Sequence, residues 1–325
     1  MSNQSCYVCG NTINNKAYSF RDFHFRTPGS HSYFQCSVCD CLQLDSAVDY
    51  TGVSLYPTDY YSFKIDDKQT LISKLKWLIR DIRNAYYQSG KGAVGALIHQ
   101  VLPCMSIAAL YKINIQKSWK ILDVGCGNDA LMLQHLSHNK FLDLLGIDPF
   151  VIKESQAIGD VTILKKTVHH TDGKFDLITF NHSFEHMSDE REVLVRCQEL
   201  LSNKGAILIR IPVVSSYAWD HYKEHWLNLD APRHLFLHSV KSISMLIEQC
   251  GFKIDSLFFD STSSQFWGSE LYKSGLPLGG KTSIYQKVAR VFLRIFYSLI
   301  KFKKVKFLND SSRGDSIAML IKRSS

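Results

Sequence analysis

The chain has 325 residues, of which 45% are hydrophobic, 21% charged and 12% aromatic, a balance that excludes a disordered or fibrous protein and leaves enough apolar side chains for a sizeable core. Lys and Arg number 38 against 30 Asp and Glu, a net charge of +8, but eight of the basic residues fall between Lys281 and Lys306, where there is no acid. The remainder is neutral, so the net charge does not mark the whole protein as a nucleic-acid binder.

Nine cysteines, sparse and unevenly spread, do not make a disulfide framework and point to a reducing, cytoplasmic setting. Met1–Gln4 lacks the charged start and apolar run of a signal peptide. Residues 1–62 are rich in Cys, Asn, Ser, Asp and aromatics without a helical period, which predicts a small ribbon-like unit of loops and hairpins. Cys6-x-x-Cys9 and Cys36-x-x-Cys39 each place two thiolates on a tight turn, and two such turns complete a four-sulfur shell for zinc. Cys41, His24 and His31 stand close enough in sequence to be alternative ligands. A closed four-ligand shell has no open position, so the expected role is structural.

Residues 63–117 read as a helical linker or cap. Leu71, Ile72, Leu75, Leu78, Ile79 and Ile82 recur at helical spacing among Lys74, Lys76, Arg80 and Arg83, predicting a basic amphipathic helix over 68–91. Gly92–Tyr111 carries no formal charge over 20 residues, yet Gly95, His99, Gln100, Pro103 and Ser106 interrupt it. The expectation is a buried helix or helical hairpin rather than a membrane span.

From residue 118 to 325, short apolar runs alternate with helical segments, from KILDV through FDLITF and AILIRIPV to FKIDSLFF and a last strand at Ser316–Lys322. Such alternation predicts an α/β fold with a doubly wound, mostly parallel sheet. Asp123-Val-Gly125-Cys-Gly127 forms a glycine turn between a strand and a helix, where backbone can approach a nucleotide cofactor closely. Asp148 ends the next strand, where a carboxylate meets a ribose diol, and a further strand ends in Asn181-His-Ser-Phe-Glu185-His186.

These three segments in this order resemble class I methyltransferases that use S-adenosylmethionine. Trp226-Leu-Asn-Leu-Asp-Ala-Pro-Arg-His-Leu-Phe-Leu-His238 is similar to a stretch in bacterial methyltransferases encoded among sugar and polysaccharide genes. Their N-terminal cysteine-pair unit also resembles residues 6–39, with Tyr56–Phe63 closing it. The resemblance implies a Rossmann-like sheet of seven strands behind a zinc-ribbon-like unit. It implies that Asp123, Gly125 and Gly127 shape the cofactor pocket, that Asp148 takes the ribose hydroxyls, and that Asn181 approaches the amino-acid end. Asp129 departs from the usual glycine of that turn. Its carboxylate is expected to cap the following helix, and its side chain motivates a non-catalytic, methyltransferase-like binding protein as an alternative.

Methyl transfer to a hydroxyl needs a base near neutral pKa, and His234, His182 and His186 all follow strand ends. His234 is favoured, with the alternative that it only bonds backbone, and Arg233 is a candidate grip for a phosphate or carboxylate. His182-x-x-Glu185-His186 also invites a divalent-metal reading, although Glu185-His186 occurs at this place in metal-free relatives as well. Residues 281–306 predict a basic amphipathic helical insertion, with two readings: contact with an anionic membrane, or packing on the cap with solvated lysines. The leading expectation is O-methylation of a sugar, nucleotide-linked, lipid-linked or polymeric, at the inner face of the membrane or in the cytoplasm. RNA methylation is the second, weakened by the absence of the Asn/Asp-Pro-Pro-aromatic motif.

Overall fold

The computed structural model describes residues 4–45, 71–278 and 283–324. The expected closing segment Tyr56–Phe63 lies outside the described residues. A mixed sheet of eight strands forms the body, ordered β11-β12-β9-β8-β4-β5-β7-β6. The strands are β4 (Ile121–Val124), β5 (Leu144–Ile147), β6 (Ser155–Ile158), β7 (Val161–Leu164), β8 (Phe175–Asn181), β9 (Leu201–Pro212), β11 (Phe252–Phe259) and β12 (Ser316–Arg323). Five neighbours, β9, β8, β4, β5 and β7, pair in parallel, while β12 enters antiparallel between β9 and β11.

The eighth strand departs from the seven expected. β6 pairs antiparallel with β7, Ile158 opposite Val161, across a two-residue Gly159-Asp160 turn in which Gly159 has φ 60°. Its sequence, Ser-Gln-Ala-Ile, is half exposed at the sheet edge and lacks the continuous apolar run of a buried parallel strand.

Side-chain alternation divides the core into two layers. Leu122, Ile178, Ile207, Ile209, Met319 and Ile321 face one way, towards α5 (Glu190–Leu200) and α7 (Val240–Gln249). Ile121, Leu177, Ala206, Leu208, Ala318 and Leu320 face the other, towards α3 (Met105–Lys112) and α4 (Leu131–His138). A period of two on strands covered on both sides is what a doubly wound sheet requires.

The linker forms α1 (Leu71–Ser89) and α2 (Ala93–Val101), and Pro103 separates α2 from α3. The uncharged stretch is therefore two short helices, and among the described residues no helix is long and apolar enough to cross a membrane.

The N-terminal ribbon is not free-standing. Its strands β1 (Lys16–Phe20), β2 (His31–Gln35) and β3 (Leu42–Leu44) are joined by β10 (Phe236–Leu237), contributed by the connection after β9, to make a four-stranded sheet. Phe20, Tyr33 and Leu42 share a core with Trp219, Trp226 and Phe266. Residues 4–45 are therefore fastened by the body itself, which supplies both a strand and apolar partners.

Between β11 and β12 lie three helices, α8 (Ser264–Lys273), α9 (Ile284–Ile300) and α10 (Phe302–Asp310). The single basic helix expected over 281–306 is therefore two helices that break at Lys301.

Candidate functional site

The sequence motifs meet at the carboxyl ends of β4, β5 and β8, where the chain, having built one half of the sheet outward from β4, crosses back to build the other. Gly125 (φ 76°) and Gly127 (φ 69°) hold the turn after β4 in a left-handed conformation. A Cβ on Gly125 would stand 2.4 Å from the Cβ of Ser183, whose hydroxyl donates to the carbonyl of Val124, so only glycine fits.

The backbone N–H groups of Gly127 and Phe150 donate to opposite oxygens of Asp148, at 3.0 and 2.8 Å. Asp123 is buried and accepts from the Thr179 hydroxyl at 2.7 Å. Burial pushes the Asp123 carboxyl up to about 7, despite the Thr179 bond, and raises Asp148 as well. Among the described residues neither forms an ion pair with Lys or Arg. A buried and a half-buried carboxylate without a cation fit a ligand that brings hydroxyl donors and positive charge, as a ribose bearing a sulfonium does.

Asn181 lies beside them, accepting from Arg210 Nη1 at 3.1 Å, while Arg210 Nε donates to Asp260 at 2.6 Å in a buried ion pair. Asp129 stands one position before the cap of α4. The cap residue is Ala130, left-handed at φ 40° and without a side-chain bond, while the Asp129 carboxyl, raised by burial, takes a hydrogen bond from the backbone of Leu131, the first residue of the helix.

The histidines separate into two groups around Glu185. His182, in a left-handed conformation at φ 51° and with a side chain 38% exposed, donates from Nδ1 to Glu185 Oε1 at 3.2 Å. On the other side, His186 Nδ1 donates to the carbonyl of Arg233 at 2.9 Å and His234 Nδ1 to that of Asn228 at 2.8 Å. The two rings meet edge to face with centroids 4.7 Å apart. Burial alone would raise Glu185, but His182, with His234 and His186, brings it down to about 2, so it is a carboxylate throughout the physiological range.

Burial also drops His234 to about 4, which makes it a weak base, and it does not line the cavity described below. Glu185, His186 and His234 each bring one ligand atom within 4.8 Å of the others, close enough to hold a divalent ion. His182, expected in such a cluster, instead hydrogen-bonds the carboxylate from the cavity side.

A cavity of about 420 Å³ opens at His182 and Arg210. The helical cap closes it with Val101, Pro103 and Ser106, and α8 and α9 with Trp267, Arg294 and Ser298. The sequence reading missed Arg210, Trp267 and Arg294. A charged residue inside the apolar run AILIRIPV is a detectable anomaly, since a buried strand carries Arg only where a partner waits. Nothing local to Trp267 or Arg294 announces that their helices fold over this mouth.

Arg233 has a different place from the one expected. It is 1% exposed, gripping Asp22 with two nitrogens at 2.8 and 3.1 Å and Asp230 with bonds of 2.7 and 3.0 Å. Committed to both carboxylates and enclosed, it fastens the ribbon to the body rather than facing a ligand phosphate.

The thiols of Cys6, Cys9, Cys36 and Cys39 lie mutually within 4.8 Å, with Cys6 to Cys39 and Cys9 to Cys36 both 3.5 Å. Edges of about 3.8 Å are those of a tetrahedron of sulfurs around zinc. Each turn closes with an N–H to the first cysteine's carbonyl, Gly10 to Cys6 and Asp40 to Cys36, and ends on a residue with positive φ. The Cys39 thiol pulls Cys6 down to about 4, helped by the backbone of Cys9 and by Gln43, whose Nε2 lies 3.2 Å from its sulfur. Donors aimed at sulfur suit a bound thiolate. Cys41 points away, 3.9 Å from His238 Nδ1, and His24 and His31 lie outside the cluster.

Residues 97–257 match the family model of the methyltransferase domain. No protein of curated function matches the chain. Among solved structures, a mycolic acid cyclopropane synthase in complex with S-adenosylhomocysteine is 14% identical over 73% of this chain and 88% of that one, with a TM-score of 0.46. A cyclopropane synthase from Mycobacterium tuberculosis is 14% identical over 67% and 82%, with a TM-score of 0.43. Coclaurine N-methyltransferase is 15% identical over 78% and 89%, with a TM-score of 0.44.

Proposed function

We propose that this S-adenosylmethionine-dependent methyltransferase methylates a hydroxyl oxygen of a sugar in a bacterial glycan, with His182 as the base. The observation that carries the reading is the His182–Glu185 pair at the wall of a cavity whose other groups suit a sugar. Ser106, Thr262, Ser263 and Ser264 offer hydroxyls, Trp267 a face on which a pyranose ring can stack, and Arg210 and Arg294 positive charge.

The cofactor would be held by Asp123, the Gly125–Gly127 turn, Asp148 and Asn181, and it supplies the electrophilic methyl group. The chain's own part is alignment and proton removal. With Nδ1–H committed to Glu185, the His182 ring carries its lone pair on Nε2, the nitrogen that accepts the acceptor's proton. Glu185, already ionised, then stabilises the imidazolium. His186 and His234, pinned by backbone carbonyls, stand on the far side of Glu185, with His234 Nε2 3.8 Å from its carboxylate, and their positive field helps keep it ionised. The four cysteines would hold a structural zinc ion.

The test supplies tritiated cofactor to the protein with glycan and with RNA fractions. Label entering glycan, abolished by His182→Asn with S-adenosylhomocysteine binding unchanged in calorimetry, supports the proposal. Label in RNA overturns it, and loss of cofactor binding in the wild type points to the non-catalytic alternative.

A further inference from the structure

α9 is turned inside out. Its apolar residues recur at helical spacing, Tyr285, Val288, Phe292, Ile295, Phe296 and Leu299, and all are exposed, Tyr285 at 83% and Phe292 at 65%. The opposite side, which carries Leu293 and Tyr297 beside its polar residues, faces the protein: the Ser298 hydroxyl bonds that of Ser263 at 2.8 Å, its carbonyl accepts from Gln100 at 3.1 Å, and Arg290 donates to the carbonyl of Pro277. A helix packed on a body for stability alone would show water the reverse arrangement.

The exposed surface continues beyond α9. On α10, Phe302 and Phe307 are exposed, and on α2, which touches α9, so are Val94 and Leu97. Contiguous apolar surface above a few hundred Å², roughly, marks an interaction site.

Charge identifies the occupant. From Lys281 to Lys306 there is no acid. Lys301 and Lys304 lie over the rings of Phe266 and Tyr217, at 5.8 and 4.0 Å, which commits them to the fold. Lys287, Lys303 and Lys306 are exposed. An apolar, aromatic face bordered by lysines, with Asp310 at the end of α10 as the sole acid of the two helices, complements an anionic lipid surface, whose headgroups take the lysines and whose acyl boundary takes the rings.

The inner side of the same helix walls the cavity. Arg294, half-buried there, makes no hydrogen bond or ion pair among the described residues, and burial lowers its pKa. We infer that α9 and α10 seat the enzyme on an anionic membrane and that the cavity takes a lipid-linked acceptor whose phosphate meets Arg294. The docking surface stands without the glycan reading, whereas the acceptor class rests on it.

Flotation of the full chain with vesicles separates these. Vesicles of phosphatidylcholine containing phosphatidylglycerol should carry the protein, and pure phosphatidylcholine should carry much less. Lys303→Ala with Lys306→Ala should weaken binding about 25-fold, at about fivefold for each lysine near the surface. Phe292→Glu with Phe296→Glu should abolish it, with thermal unfolding and S-adenosylhomocysteine binding unchanged. Failure of the wild type to float with anionic vesicles at low salt overturns the docking proposal. So does light scattering that shows a dimer which Phe292→Glu with Phe296→Glu makes monomeric, because the face would then join two copies. For the cavity, inorganic diphosphate should bind the protein loaded with S-adenosylhomocysteine, at least tenfold more weakly in Arg294→Gln. Flotation without any diphosphate site refutes the lipid-linked acceptor while leaving the membrane surface and the methyltransferase chemistry intact.

Discussion

The cysteine ribbon and the α9–α10 pair are both additions to the same sheet, yet they treat their chemistry in opposite ways. The ribbon turns its reactive and charged groups inward: four thiols join the core against α5 and α7, Asp22 is closed over by Arg233, and its open edge is paired by β10. The helical pair sends Leu308, Val305 and Tyr297 into the core beneath the ribbon but leaves a larger set of aromatic and aliphatic side chains outside. Burial of a charge or thiol thus marks an element committed to the fold, whereas exposure of an organised apolar face marks one committed to something else.

Removing the zinc proposed for the four thiols should have the largest effect. Structural zinc contributes on the order of 10 kcal/mol in isolated fingers, so chelation or Cys36→Ser should unfold residues 4–45 locally. Hydrogen exchange would then show the ribbon amides unprotected and those of β4, β8 and β9 still protected. Equal loss of protection in the sheet would mean the ribbon and body form one cooperative unit, and the contrast would need redrawing.

Next comes Arg233→Ala, which strands the buried Asp22 carboxylate and the largely enclosed one of Asp230. A destabilisation of about 3–5 kcal/mol in urea unfolding is expected. The sign with pH follows from Asp22 and Asp230, both held below the usual carboxylate range: burial opposes this, but Arg233 outweighs it. Their contribution is present above the unfolded value of about 4 and is lost as pH falls through the lower folded values. Wild type and variant should therefore converge in stability in strong acid, and a gap that persists there would assign the loss to packing.

His182→Asn should act on neither side of the comparison, lowering kcat by about 10²–10⁴ with the midpoint of unfolding unchanged. An unaltered kcat would move the base elsewhere. Smallest of all, Phe292→Ala with Phe296→Ala should change stability by less than about 0.5 kcal/mol for each substitution, as for surface residues. A loss of several kcal/mol in the isolated protein would show that this face is packed in solution.

Much of the site was legible because its parts obey local rules. Gly125 and Gly127 take conformations that glycine favours, Asp148 ends a strand two residues before Phe150, and the two cysteine turns are written as matched pairs. What escaped depended on contacts across long stretches of chain. Arg233 looked like a ligand grip because Asp22 lies 211 residues away. His234 looked like the base because nothing in its neighbourhood foretells burial beside Glu185, 49 positions earlier in the chain.

The sequence by itself determined the parallel sheet, the glycine turn with its acidic partners, the thiol cluster and the location of the excess charge, since each rests on periodicity or spacing within a few dozen residues. Only the tertiary structure decided which histidine meets the cavity, which arginine is occupied and which face of α9 is outside. Those outcomes depend on partners that loops and helices bring together from distant positions, and on which side of an amphipathic helix the body can satisfy.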